Sequence, residues 1–146
     1  MKQRNLWILG VLILAAVALA ACSQTSVSAS KVEAAKVEKI EGTELNRVIL
    51  TEKAAQRLDI QTAQVREEQV NGTQRTVIPY AAVIYDLHGE TWTYTSPEPL
   101  TFVRQAITVD YIEGDMAVLS DGPAAGAQVA TVGVAELYGA DTGVGK

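Results

Sequence analysis

Thr76-Val77-Ile78-Pro79-Tyr80-Ala81-Ala82-Val83-Ile84-Tyr85-Asp86-Leu87-His88-Gly89-Glu90-Thr91-Trp92-Thr93-Tyr94-Thr95 is the stretch that decides the fold. Its first ten residues are rich in β-branched and aromatic side chains, with Pro79 confining that part to a sheet margin or a bend. Asp86-Leu87-His88-Gly89 reads as a turn. Beyond it, Thr91 to Thr95 alternates threonine with large aromatics at period two, the period of a strand with two different faces. Two such runs joined by a tight turn predict a hairpin.

The same grammar continues on both sides. Upstream, Arg47-Val48-Ile49-Leu50 begins as a strand, and Thr51 is placed to cap a short helix from Glu52 to about Leu58. Glu52 lies near the positive end of that helix dipole, and Ala54, Ala55 and Leu58 share the core-facing spacing. Ile60 to Val65 is extended again, and Asn71-Gly72 is a tight-turn signal. Downstream, Pro97 and Pro99 interrupt the pattern, and Phe102 to Ile112 reads as one long extended segment. Glu113-Gly114-Asp115 then turns into Met116-Ala117-Val118-Leu119, and Gly122 to Gly126 leads into a last strand from Gln128 to Val134. About six or seven short strands separated by Gly, Pro, Asp and Asn predict a mainly β domain: a small closed or nearly closed β-barrel with one short α-helix at an end.

The 146 residues are 48% hydrophobic with a net charge of −5 and a single cysteine. Much of the apolar content sits at the N-terminus, where Lys2 and Arg4 precede an almost unbroken run from Leu6 to Ala21. That run matches a signal h-region and falls short of the roughly 20 residues a spanning helix needs. It ends in Leu19-Ala20-Ala21-Cys22, which resembles the bacterial lipobox. Residues 1–21 are therefore expected to be a lipoprotein signal peptide cleaved between Ala21 and Cys22, with Cys22 lipidated. The alternative is an uncleaved anchor with an inert Cys22, which tethers the same domain outside a membrane. Residues 22–44, small and polar and then interleaved Lys and Glu, read as a flexible tether. Residues 45–138 form the single domain, and 139–146 a flexible tail. An acidic body lacking clustered Lys and Arg excludes nonspecific nucleic-acid binding, and one cysteine excludes an internal disulfide.

The body also resembles a known family. Val77 to Asp86, then Gly89 and Thr91-Trp92-Thr93-Tyr94, is similar to a "V-P-x-x-A-V" strand, glycine turn and "V-Y-V" strand of periplasmic adaptor (membrane-fusion) proteins. These serve efflux pumps of the resistance-nodulation-division class. Phe102 to Val109 resembles the strand that follows there, and Gly122 to Gly133 the closing glycine-valine segment, with Pro123 and Ala130 departing from it. Val48 to Val65 resembles the adaptors' opening segment, with Asp59 in place of the usual glycine. The resemblance covers residues 47 to 138 and implies the membrane-proximal domain of such an adaptor. The adaptors' β-barrel, lipoyl-like and helical-hairpin modules have no room between Val65 and Val77, so the Asn71-Gly72 turn would stand in their place. The resemblance implies a partner, an inner-membrane efflux transporter, on whose outer face the domain would rest.

Residue chemistry offers little for catalysis. No nucleophile elbow, phosphate loop or zinc signature occurs. Met116, His88 and Cys22 are too few and too scattered for a soft-metal site, and Asp86, Glu90, Glu113 and Asp115 fall in turns, where carboxylates cap backbone N–H groups. The expectation is a non-enzymatic lipoprotein without metal or cofactor, held to the membrane by its lipid. Trp92 and Tyr94 are the candidate ligand or partner surface, against a reading as core or rim aromatics. The competing function is a stand-alone ligand-binding or structural envelope lipoprotein.

Overall fold

The computed structural model describes residues 33–143. Ala21, Cys22, the expected signal peptide and the first part of the expected tether lie outside them. The chain is mainly β, as the alternation predicts: among the described residues there are eleven strands in two antiparallel sheets, with two helices. In the larger sheet the order is β1 (Ala35–Lys39), β2 (Asn46–Leu50), β8 (Thr101–Ala106), β7 (Thr91–Glu98), β11 (Gln128–Val132) and β3 (Gln61–Gln64). A two-residue strand, β6 (Ile84–Tyr85), also pairs with β7. The smaller sheet runs β4 (Arg66–Val70), β5 (Thr73–Pro79), β10 (Met116–Asp121), β9 (Thr108–Glu113).

Local signals account for several elements. Thr51 caps α1 (Glu52–Arg57), its Oγ1 accepting from the Ala54 N–H at 3.2 Å, with Glu52 in the first turn and Arg57 in the last. Asn71 and Gly72 both take positive φ, 51° and 81°, the twist that a two-residue hairpin between β4 and β5 requires. Pro79 ends β5 and starts a single 3-10 turn, Tyr80–Ala82.

Two of the described chain's four passages between the sheets are one-residue corners. Val65, between β3 and β4, donates to Ala127 C=O at 2.8 Å and accepts from Gly126 N–H at 2.9 Å. Ile107, between β8 and β9, donates to Thr91 C=O at 3.0 Å and accepts from Thr91 Oγ1 at 2.7 Å. Each corner thus keeps its backbone groups satisfied and drives its own side chain into the core. Both join Ile78, Ala82, Ala117, Leu119 and Val129 in one buried cluster. A second cluster holds Val48, Leu50, Tyr94, Phe102 and Ala130 beneath Val134 and Leu137 of α2 (Val134–Thr142). Val129 and Ala130, adjacent on β11, serve opposite faces of the larger sheet and so opposite clusters.

Several expectations are corrected. The hydrogen bonding does not close into a barrel: among the described residues no ladder joins β1 to β3. Phe102 to Ile112 is two strands in different sheets, split at Ile107. The domain begins about ten residues before position 45, because Ala35 to Lys39, read as tether, pairs with β2 from Ala35↔Leu50 to Lys39↔Asn46. Its partner lies beyond an intervening turn, and a charged sequence discloses nothing of that. A second helix replaces the start of the expected tail, since α2 carries Gly139 to Thr142 and plants Asp141 in the core.

Candidate functional site

The most structured polar group in the domain lies under α2. Asp141 is 6% exposed. Its Oδ1 accepts from Asn46 Nδ2 at 2.9 Å and its Oδ2 from the Tyr94 hydroxyl at 2.6 Å, while its backbone C=O accepts from Asn46 Nδ2 at 3.1 Å. Arg104 Nε stands 3.4 Å from the same Oδ2, an ion pair without hydrogen-bond alignment. The arrangement follows from register. Tyr94 and Arg104 are direct partners in the β7–β8 ladder, so their side chains rise side by side toward α2. Asn46 opens β2 on the same flank.

Trp92 is two residues from Tyr94 on β7 and faces the same way. Its ring takes the Arg104 guanidinium at 4.5 Å from the centroid, and its Nε1 donates to Asp86 Oδ2 at 3.1 Å. Asp86 Oδ1 accepts from the N–H groups of His88 and Glu90 at 2.8 and 2.9 Å, the turn-capping role expected of it. Buried interior and solvent are thereby connected by one chain of contacts, Asp141–Arg104–Trp92–Asp86. At its outer end an open cleft of about 360 Å³ is lined by Glu44, Asp86, His88, Trp92, Arg104 and Tyr138 among others.

Titration follows these surroundings. Burial first, and then the hydrogen bond to the Asp141 carboxylate, push the Tyr94 hydroxyl well above its ordinary value. Burial alone would raise the Asp86 carboxyl, but the His88 and Glu90 N–H groups and the Trp92 indole together outweigh it and hold the group below its usual range. Loss of water and a hydrogen bond with Tyr80 raise the Tyr85 hydroxyl. Tyr80 and Tyr85 are both exposed, and Leu87, at the tip of the Asp86 turn, is 94% exposed.

Of the expected surface pair, Trp92 lines the cleft and Tyr94 does not. Tyr94 is fully buried and belongs to the core-aromatic reading, because Leu137 and Asp141 of α2 cover it. His88 is exposed in its turn, and among the described residues no group of three or more His, Cys, Asp or Glu converges as a metal site would require. Asn46, Arg104 and Asp141 have no sequence signature as a set. Only the spacing of Val134, Leu137, Tyr138 and Asp141, one helical face with a carboxylate on it, signals their meeting place. Both Asp141 oxygens are engaged, so the group is built to hold α2 down; it offers no free base or nucleophile.

No protein-family model, curated protein or solved structure matches the chain. Among the described residues no helix is long and apolar enough to cross a membrane.

Proposed function

We propose that this protein is a non-catalytic envelope lipoprotein, tethered through Cys22, whose β domain docks on a membrane transporter and assists transport. The observation that carries the reading is the exposed apolar run of Tyr80, Tyr85 and Leu87. These side chains stand on the hairpin and 3-10 turn that carry the adaptor resemblance. Water gains nothing from such side chains; a protein surface does. The ligand-binding alternative draws less support, since Tyr94 lies sealed in the core and the cleft beside Trp92 is open to solvent.

The test is in-cell crosslinking of the full-length chain, with mass spectrometry of the captured membrane proteins. Recovery of one multispanning transporter, lost with Cys22→Ala and weakened with Leu87→Asp, is the expected result. Capture of no multispanning protein by a well-expressed chain would sink docking and favour a ligand screen.

A further inference from the structure

β1 forms one margin of the larger sheet, and among the described residues no strand pairs with its outer side. The direction of its backbone groups follows from its neighbours. Ala34 C=O accepts from Thr51 N–H at 3.1 Å, and Ile40 N–H donates to Leu45 C=O at 3.0 Å. Residues 34 and 40 therefore turn their amide groups toward the β2 side. Alternation along the strand then aims the N–H and C=O groups of Ala35, Val37 and Lys39 outward. Lys36 and Glu38 flank Val37 on one face, 2.7 Å apart as an ion pair, and Glu38 also lies 3.9 Å from Arg47.

We propose that this margin pairs with the same margin of a second copy of the chain, antiparallel, about a two-fold axis through Val37. The five residues Ala35-Lys36-Val37-Glu38-Lys39 are self-complementary about that centre. Val37 meets Val37 of the second copy in a hydrogen-bonded pair, Ala35 meets Lys39, and Lys36 meets Glu38 on both sides of the axis. Outward amide groups must oppose outward amide groups, which leaves two neighbouring symmetric registers. One sets Lys36 against Lys36 and the other Glu38 against Glu38, and like charges directly opposite are unfavourable. The charges thus select one register. Lysines on a sheet margin discourage indiscriminate strand addition; the carboxylate two residues along makes an exception for a second copy. Such a contact is isologous and closes at two chains. It stands whatever the domain docks on.

Cysteine scanning of the full-length chain in its own membranes tests the pairing, with the unsubstituted chain, whose only cysteine is Cys22, setting the background. Hydrogen-bonded antiparallel partners have Cα atoms about 5.5 Å apart, within the roughly 4.4–6.8 Å that a disulfide spans. Val37→Cys should therefore give a disulfide-linked dimer under mild oxidation. Lys36→Cys and Glu38→Cys should each remain monomeric alone and link to one another when the two chains are co-expressed. In the Val37→Cys background, adding Lys36→Glu or Glu38→Lys should lower the dimer yield roughly tenfold, two opposed pairs becoming repulsive. Co-expressing those two charge variants under different tags should restore a mixed dimer, because each then meets its opposite. Unchanged melting temperatures certify that the variants fold. Equal crosslinking at all three positions, a yield indifferent to the charges, or no dimer with Val37→Cys would each overturn the proposal.

Discussion

Asp141 carries a charge into a place with almost no water, and Asn46, Tyr94 and Arg104 are what make that tolerable. Removing one partner of a buried charge leaves the others exposed to the full cost of their desolvation. Asp141→Ala should destabilise the domain by about 3–5 kcal/mol in urea titration, and Tyr94→Phe by about 1.5–3 kcal/mol. The double variant should lose less than the sum, since the two share one interaction. Tyr94 also sets an alkaline limb. Its hydroxyl titrates higher in the folded protein than in the unfolded chain, so its contribution is whole below about pH 10 and declines as pH rises beyond. Denaturation midpoints taken across that range should fall more steeply for the native chain than for Tyr94→Phe. At this scale the sequence was half legible. The period-two aromatics could be read from Thr91 to Thr95, yet which of them is covered depends on α2, and Asn46 and Asp141 stand 95 residues apart.

Elements with local punctuation were readable: Thr51 before α1, Asn71-Gly72 between β4 and β5, Asp86 in its turn. β1 and β4 were not, because Lys, Arg and Glu along a strand look like solvated chain until a partner strand supplies the hydrogen bonds. The single residue Ile107, which moves the chain from one sheet to the other, is indistinguishable in sequence from the β-branched residues around it. α2 was hidden by Gly139, a poor helix former held in place by tertiary contacts. Its start rests on Gly133, at φ 77°, where an added Cβ would stand 2.1 Å from Ile60 Cδ1. Gly133→Ala should therefore cost about 1–3 kcal/mol, from left-handed strain together with displacement of Ile60. Adding Ile60→Val removes the colliding methyl and should recover part of the loss of the first substitution, measured against Ile60→Val alone, leaving the strain of about 1–2 kcal/mol.

Across the whole molecule, the two clusters are built on opposite faces of one sheet and joined through β11. Neither is a local unit. The cluster around Tyr94 draws on β2 near one end of the described chain and α2 near the other, so a chain stopped after Gly133 loses Val134, Leu137 and Asp141 together. Such a chain should show no cooperative thermal transition by near-ultraviolet circular dichroism, whereas one stopped after Gly143 should melt as the full chain does. Mainly β architecture was legible from the spacing of turns. Division into two sheets was not, for the described chain crosses between them four times, twice at single corner residues whose hydrogen bonds reach distant strands.

The Asn46–Asp141 bond also sets an order of events in time. Synthesis delivers the chain from its N-terminus, so β2, β7 and β8 emerge while the residues that seal them are still to come. Until the last helix arrives, Asn46, Tyr94 and Arg104 wait in water and the core face stays open. The domain can finish only once it has been delivered nearly whole, and a stalled or clipped chain would show itself to quality-control proteases by that open face.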